Sequence, residues 1–91
     1  MDKILIKDII LFADNDFDLY QKLINMYLPN LAKKKKKGVF DRNKAIILLL
    51  YYVEIVWKKY KKETKMTNVK LFKNEKIVIA DYYLTYLEEL L

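Results

Sequence analysis

The sequence predicts an all-α protein, a small antiparallel bundle of three to four helices, and three observations favour this class. The chain has 91 residues, enough for a single domain (1–91) with one core. It has one glycine and one proline, whereas all-β domains need turn-forming residues about every eight to twelve positions. Apolar residues recur at spacings of three and four along most of the chain, which is the period of helices with one buried side.

The first third of the chain predicts two helices. Residues 3–13 form the first, with apolar side chains spaced for one buried side. Asp16 is expected to cap the second, whose apolar stripe runs from Phe17 to Leu31. Pro29 lies inside this stripe, so we expect it to kink the helix near Tyr27 or to begin a fresh turn as its first residue.

The lysine run that follows is expected to end the second helix. Lys33–Lys37 would fill its last turn, where cations interact favourably with the helix dipole. Gly38 would then terminate the helix in a left-handed conformation, because glycine adopts positive φ without a steric penalty.

The middle of the chain predicts the central helix of the bundle, Asp41–Glu63. Asp41 is expected to cap it, with Phe40 packed against Ala45. Apolar side chains occupy nearly the whole circumference from Ala45 to Trp57, so neighbouring helices should pack on several sides of it.

The last third predicts a connection and a final helix. Within residues 64–73, Val69, Leu71 and Phe72 are expected to lie beneath the core, and Asn74 is expected to cap the helix. Its buried stripe at three–four spacing is Ile77, Ala80, Leu84, Leu87 and Leu91, and a second stripe beside it is Ile79, Tyr83, Tyr86 and Leu90.

Positive charge is concentrated in the middle of the chain. The net charge is +6, and residues 33–65 hold twelve Lys or Arg against three acidic residues, while the two flanking segments are slightly acidic. One interpretation is structural: the lysines cap helix ends, with Asp14, Asp16 and Asp18 near Lys58–Lys62, and Glu88 and Glu89 near Lys33–Lys37. The other is a binding surface formed by Lys34, Lys35, Lys36, Lys37, Arg42, Trp57, Lys58, Lys59, Tyr60, Lys61 and Lys62.

Within that candidate surface, the segment Val56–Lys62 alternates aromatic rings and cations. Trp57 and Tyr60 are three residues apart, and so are Lys58 and Lys61. Such an arrangement suits single-stranded nucleic acid, because rings stack on bases while lysines contact phosphates. The alternative is that both rings complete the buried stripe of the central helix.

Several chemistries are disfavoured by composition. The chain has no Cys, His or Ser, so it lacks disulfides, the usual zinc ligands and the common activated nucleophiles. The segment DNDFD resembles the start of a calcium loop, but Leu19 stands where such a loop needs Gly and Asn25 where it needs Glu. We therefore expect no enzyme activity, no cofactor, no bound metal and no small-molecule substrate.

The sequence also bears on location. The longest apolar run, residues 45–57, would span about 20 Å as a helix, against roughly 30 Å for a bilayer core. The N-terminus has apolar residues but no small-residue cleavage site after them, which argues against a secretory signal. We expect no membrane partner and a cytoplasmic location.

Residues 30–89 resemble small helical proteins of unknown function encoded by tailed phages. The shared pattern is an Asn-Leu before a basic helix end, a Gly-aromatic-Asp corner, a Tyr-rich central helix and a Phe-led last helix. It falls here on Asn30, Leu31, Gly38, Phe40, Asp41, Ala45, Leu49, Tyr52, Tyr60, Glu63, Phe72, Ala80 and Glu88. The resemblance implies a phage accessory protein in the host cytoplasm and brings no catalytic residues. It does not cover the acidic first third, and Pro29 departs from it.

Two functional hypotheses follow. In the first, a non-enzymatic binding protein docks through its basic middle region on RNA, DNA or a host nucleoprotein, for example as an inhibitor of a host defence nuclease. In the second, the chain is a protein-interaction or homo-oligomeric module, and the lysines only cap helices and keep it soluble. Tyrosine-rich composition favours interfaces, and a homodimer pairing Ile55, Tyr51 or Tyr82 would cover surplus apolar surface.

Overall fold

All regular secondary structure in the described residues, 1–35 and 41–91, is helical. In this computed structural model the chain forms α1 (Lys3–Asp14), α2 (Phe17–Lys22), a π-helical segment (Leu23–Tyr27), α3 (Leu28–Lys33), α4 (Arg42–Thr64) and α5 (Lys73–Leu90). Because α2, the π-helical segment and α3 follow one another without a break, these elements amount to four rods. The expected all-α bundle is confirmed.

Aspartates are the N-caps of three helices. Two of them, Asp16 and Asp41, were predicted from the sequence. The Asp16 side chain accepts a hydrogen bond of 3.0 Å from the Leu19 N–H, and the Asp41 side chain accepts from the N–H groups of Asn43 and Lys44. Asp2 caps α1 in the same way. Each carboxylate satisfies N–H groups that have no partner within the helix.

The π-helical segment explains how the second rod contains a proline. Pro29 has no N–H to donate to the Asn25 carbonyl, and the turn before it widens, so that the Leu28 N–H bonds to the Leu23 carbonyl five residues back. Pro29 is the second residue of α3. The expectation that a fresh turn begins at Pro29 is therefore wrong, because the rod continues through this residue without a break.

The second rod ends earlier than the sequence predicted. Lys33 is the last residue of α3 and Lys34 is its C-cap, so the prediction that Lys33–Lys37 fill the last turn is wrong. After Leu31 this rod has only the small, exposed Ala32 before the lysines, so no large apolar side chain holds another turn against the core. Like charges four residues apart also oppose a helix. The expectations for Gly38 and Phe40 lie outside the described residues.

The α4 helix is central, and it runs antiparallel to α5. Arg42 in its first turn pairs with Asp81 and Glu88 of α5, and Glu54 farther along pairs with Lys76. Besides α5, α4 contacts α1 and the π-helical segment. The buried side of α4 consists of Ala45, Leu49, Tyr52, Val53, Val56, Trp57 and Tyr60.

Neighbouring helices do not cover the whole circumference of α4, contrary to expectation. Ile47 is 56% exposed and Tyr51 is 67% exposed. In the described part of the chain, all three neighbours of α4 pack on the side defined by its buried residues. The rods of a 91-residue chain are too few to surround it, so one apolar strip faces outward.

The last helix begins two residues earlier than predicted. Its N-cap is Phe72, and the Glu75 side chain reaches back to accept from the Phe72 N–H at 3.0 Å. Asn74 lies inside the first turn, so its predicted position as the N-cap is wrong, although its side chain accepts a hydrogen bond from the Glu75 N–H at 3.0 Å. Phe72 is also exposed rather than tucked beneath the core, whereas Leu71 is buried.

Both predicted stripes of α5 contribute to its buried side. That side consists of Glu75, Ile79, Ala80, Tyr83, Leu84 and Leu87. Ile77 and Leu91, which the sequence placed in the buried stripe, are exposed. The reason is that α5 contacts both α4 and α1, so the buried sector lies between the two stripes.

Candidate binding surfaces

The candidate binding residues that belong to α4 are divided between its two ends. Arg42 lies in the first turn of this 23-residue helix and Lys58–Lys62 in its last two turns, about 25 Å apart along the axis. Lys34 and Lys35 follow the end of α3, and Lys36 and Lys37 lie outside the described residues. These candidates therefore do not form one continuous patch.

Among the candidate cations, Lys59, Arg42 and Lys61 contact other side chains of the molecule. Lys59 Nζ lies 2.7 Å from Asp16 Oδ2 and 3.9 Å from Asp18, while Arg42 pairs with Asp81 and Glu88. The hydrogen bond from Lys59 lowers the pKa of Asp16, and the same bond raises the pKa of Lys59. Lys61 Nζ lies 5.3 Å from the centroid of the Trp57 ring, within the range of a cation–π contact.

The acidic residues face one basic end as the structural interpretation required. Asp16 and Asp18 lie near Lys59 at the Lys58–Lys62 end. Glu88 pairs with Arg42, and the predicted approach of Glu88 and Glu89 to Lys33–Lys37 lies partly outside the described residues. Asp14 differs, because it accepts a hydrogen bond from the Tyr83 hydroxyl at 3.0 Å. Asp14 therefore has a different partner from Asp16 and Asp18, which both lie near Lys59.

Trp57 and Tyr60 are core residues. They are 5% and 6% exposed, their rings stack on each other with centroids 5.8 Å apart, and Phe12 packs edge-on against Tyr60. Buried rings are not available to bases, so their assignment to a binding surface is corrected. The alternative, in which they complete the buried stripe of α4, is confirmed.

A different surface emerges on the exposed side of α4, here called the outer face. It consists of Lys44, Ile47, Tyr51, Lys58 and Lys62, all exposed and separated by three, four or seven residues, which places them on one side of the helix. Ile47 and Tyr51 also line a shallow cleft of about 240 Å³ with Leu50 and Glu54.

The charges of the outer face lie at its two ends. Lys44 and Lys58 are fourteen residues apart, about 21 Å along the helix, and Lys62 lies one turn beyond. None of the three is within ion-pair distance of an acidic side chain in residues 1–35 and 41–91. The outer face therefore has an apolar centre, Ile47 and Tyr51, with unpaired lysines at both ends.

Sequence reasoning found only part of this face. Tyr51, Lys58 and Lys62 were singled out, but Lys44 and Ile47 were not. The spacing 44–47–51–58–62 was available as a signal, yet it competes with several other apolar spacings in the same helix. Only the burial of the opposite side identifies which spacing faces outward.

Comparison with known proteins gives no relative: no family model, curated protein or solved structure matches the chain. Among the described helices, none has the combination of length and apolar character needed to cross a membrane.

Proposed function

We propose that the protein is a non-enzymatic binding protein that docks on an acidic partner protein through the outer face of α4. The observation that carries this proposal is the exposed pair Ile47 and Tyr51 lying between unpaired lysines. Exposed apolar side chains grouped on one helix face, with a charged rim, are typical of protein-interaction sites.

The charge pattern supports a partner different from the chain itself. If two copies paired antiparallel about Tyr51, Lys44 of one copy would face Lys58 of the other, and a parallel pair would align each lysine with its own counterpart. Both arrangements bring like charges together, which opposes association. This weighs against a homodimer through Tyr51. A complementary partner is an amphipathic helix with an apolar centre and acidic residues about 21 Å apart.

The resemblance to phage-encoded helical proteins supplies a biological setting for this proposal. In that setting the chain is an accessory protein in the host cytoplasm, and its partner is a host protein or nucleoprotein, for instance a defence nuclease. Binding through the outer face would act by occupying a surface of the partner, since docking alone needs no catalytic group.

Nucleic acid is the second candidate partner, and one observation favours it. Lys44, Lys58 and Lys62 are all exposed on one side of α4 and have no acidic neighbour in the described residues. Lysines of this kind contact phosphates, and each contact makes binding weaker as salt increases. Ile47 and Tyr51 at the centre of the face favour the protein partner over this one.

Capture from host lysate, with and without nuclease treatment, tests the proposal. The informative variant is Ile47→Glu/Tyr51→Glu, which places charge at the apolar centre. We expect the partner to survive nuclease treatment and to be captured at least about tenfold less by this variant, since central interface residues commonly contribute 2 kcal/mol or more. Both positions are exposed, so folding should be little affected.

The matched control is Ile4→Glu/Leu11→Glu, which makes the same kind of change at two exposed positions of α1. Equal losses in the two double variants would contradict docking through the outer face. If nuclease abolishes capture, heparin chromatography of two triple variants with the same net charge tests nucleic-acid binding through the outer face. The variant Lys44→Gln/Lys58→Gln/Lys62→Gln changes this face, and Lys7→Gln/Lys70→Gln/Lys73→Gln changes lysines elsewhere. The first variant should elute at lower salt than the second.

A further inference from the structure

A cleft rich in tyrosine lies on a part of the molecule that the proposed function does not use. Its volume is about 250 Å³, and it is lined by Asp14 at the end of α1, Tyr20 and Leu23 from the second rod, and Tyr82 and Tyr86 from α5. None of these residues belongs to α4. The cleft is therefore separate from the outer face.

The polar groups of this cleft are oxygen acceptors. The Asp14 carboxylate accepts from the Tyr83 hydroxyl through Oδ1, and the Tyr82 hydroxyl also hydrogen-bonds to this carboxylate. The hydroxyls of Tyr20 and Tyr86 lie 3.4 Å apart, so that one donates to the other. Phenol oxygens can accept a further hydrogen bond.

The cleft also carries an unbalanced negative charge. Asp14 has no ion pair with a Lys or Arg of the described residues, although the chain as a whole is strongly basic. Among the described residues, no cationic side chain lines the cleft. A carboxylate without a counter-ion, surrounded by phenol rings, attracts cations both through its charge and through the rings.

The dimensions and chemistry select a class of cation. Pockets for drug-sized molecules span about 300–1,000 Å³, so this smaller cleft suits the head of a single side chain. A guanidinium group has five N–H donors for oxygen acceptors, forms paired hydrogen bonds with a carboxylate and stacks on aromatic rings. Lysine has fewer donors and no flat face, and a quaternary ammonium has no donor.

We propose that the cleft formed by Asp14, Tyr20, Leu23, Tyr82 and Tyr86 is a binding site for the guanidinium group of an arginine side chain on a partner peptide. The negatively charged Asp14 carboxylate binds the guanidinium, and the tyrosine rings pack against its plane. Together with the proposed function, this gives the protein two docking surfaces that prefer partners of opposite charge: the outer face binds an acidic helix, and the cleft binds an arginine.

Titration of the full chain with N-acetyl-arginine amide tests this site, with NMR detection of aromatic and backbone signals. We expect saturable shifts confined to the cleft, with a Kd on the order of 1–10 mM, because one charge-assisted contact and partial ring stacking supply only a few kcal/mol. N-acetyl-lysine amide and tetramethylammonium should bind at least about threefold more weakly.

The decisive variant is Asp14→Asn, whose amide oxygen can still accept from Tyr83, so that the fold is kept. It should weaken binding about tenfold, the effect of losing one charge-assisted hydrogen bond. Asp8→Asn makes the same change at an exposed position of the same helix outside the cleft and should leave the Kd unchanged.

Tyr20→Leu keeps an apolar contact but removes the ring, and it should weaken arginine more than lysine. Three results would overturn the assignment: shifts that do not saturate, the same Kd for Asp14→Asn as for the unmodified chain, or tetramethylammonium binding as tightly as arginine. None of these readouts depends on the outer face of α4, so the test is independent of the proposed function.

Discussion

Glu75 is the buried charged residue among those described, and it ties together the beginnings of two helices. Its side chain is 3% exposed, Oε1 accepts from the Phe72 N–H, and Oε2 accepts from the Asp2 N–H, each at 3.0 Å. Both donors lie where helices begin and N–H groups lack partners. A single carboxylate therefore connects the start of α1 with the start of α5, residues 73 positions apart.

Replacing Glu75 by Gln should lower the free energy of unfolding by about 2 kcal/mol. Gln offers one oxygen and one NH₂ group, so one of the two partly buried N–H donors loses its acceptor and faces another donor. Urea denaturation measures the change. Glu89→Gln on the exposed surface of α5 serves as the control and should stay within about 0.5 kcal/mol. A similar small effect at Glu75 would contradict its structural role.

Individual caps differ in how well sequence predicts them. Asp16 and Asp41 were predicted, because an aspartate directly before an apolar periodic segment has one obvious role. Glu75 was missed, because a glutamate in the first turn of a helix is usually solvent-exposed. Its burial depends on Asp2, which the fold brings to it from the other end of the chain.

At the scale of single elements, the end of α4 contains an unfavourable backbone conformation. Lys65, its C-cap, has φ 58° and ψ 28°, the left-handed region that costs a non-glycine residue roughly 1 kcal/mol. This conformation lets the Met66 N–H bond to the Lys61 carbonyl, which closes the last turn. The strain is the consequence of ending a long helix without a glycine.

Lys65→Gly should raise the free energy of unfolding by about 1 kcal/mol, because glycine adopts this conformation without strain. Lys62→Gly provides the matched comparison, since it makes the same chemical change within the helix, where glycine is unfavourable by about 1 kcal/mol. Chemical denaturation of both variants checks the pair. Destabilisation by both substitutions would show that Lys65 is not strained.

Element boundaries were predicted best where a polar cap met an apolar pattern. The start of α4 was correct, and its end differed by one residue from the predicted Glu63. The end of α3 was not correct, because a lysine run has strong helix propensity but nothing to bury, and helices in proteins depend mainly on packing.

At the scale of the whole molecule, tyrosines join the rods to one another. Tyr52 of α4 packs edge-on against Tyr27 of the π-helical segment and against Tyr83 of α5, with ring centroids 5.3 Å apart in both pairs. The Tyr52 hydroxyl donates to the Leu19 carbonyl, and the Tyr83 hydroxyl donates to Asp14. Aromatic rings thus form the centre of the core, and the hydroxyls of Tyr52 and Tyr83 both have hydrogen-bond acceptors.

These buried tyrosines should make the fold sensitive to alkaline pH. Burial raises the pKa of Tyr52 and Tyr83 well above the ordinary value of 10, and the Asp14 charge acts in the same direction. Below about pH 10 both folded and unfolded chains hold the phenol protons. Above it only the unfolded chain loses them, so the free energy of unfolding falls by up to about 1.4 kcal/mol per pH unit for each tyrosine.

Urea denaturation between pH 8 and pH 12, together with tyrosinate absorbance, measures this dependence. Tyr52→Phe/Tyr83→Phe should be less stable at neutral pH, because two hydrogen bonds are lost, but its stability should decline less steeply above about pH 10. Tyr51→Phe, at an exposed position of α4, should leave the slope unchanged. Identical slopes for all three chains would exclude buried tyrosines as the cause.

The sequence by itself determined the all-α class, the position of α4 at the centre, the caps at Asp16 and Asp41 and the uneven distribution of charge. These properties depend on spacing and residue type along the chain, which are local. Only the tertiary structure decided that Ile47 and Tyr51 face outward, that Arg42 and Lys59 are neutralised by distant acids, and that Asp14 lies among tyrosines of α2 and α5. Periodicity groups side chains on one face of a helix, but a helix that is apolar on nearly every side does not specify which faces its neighbours will cover.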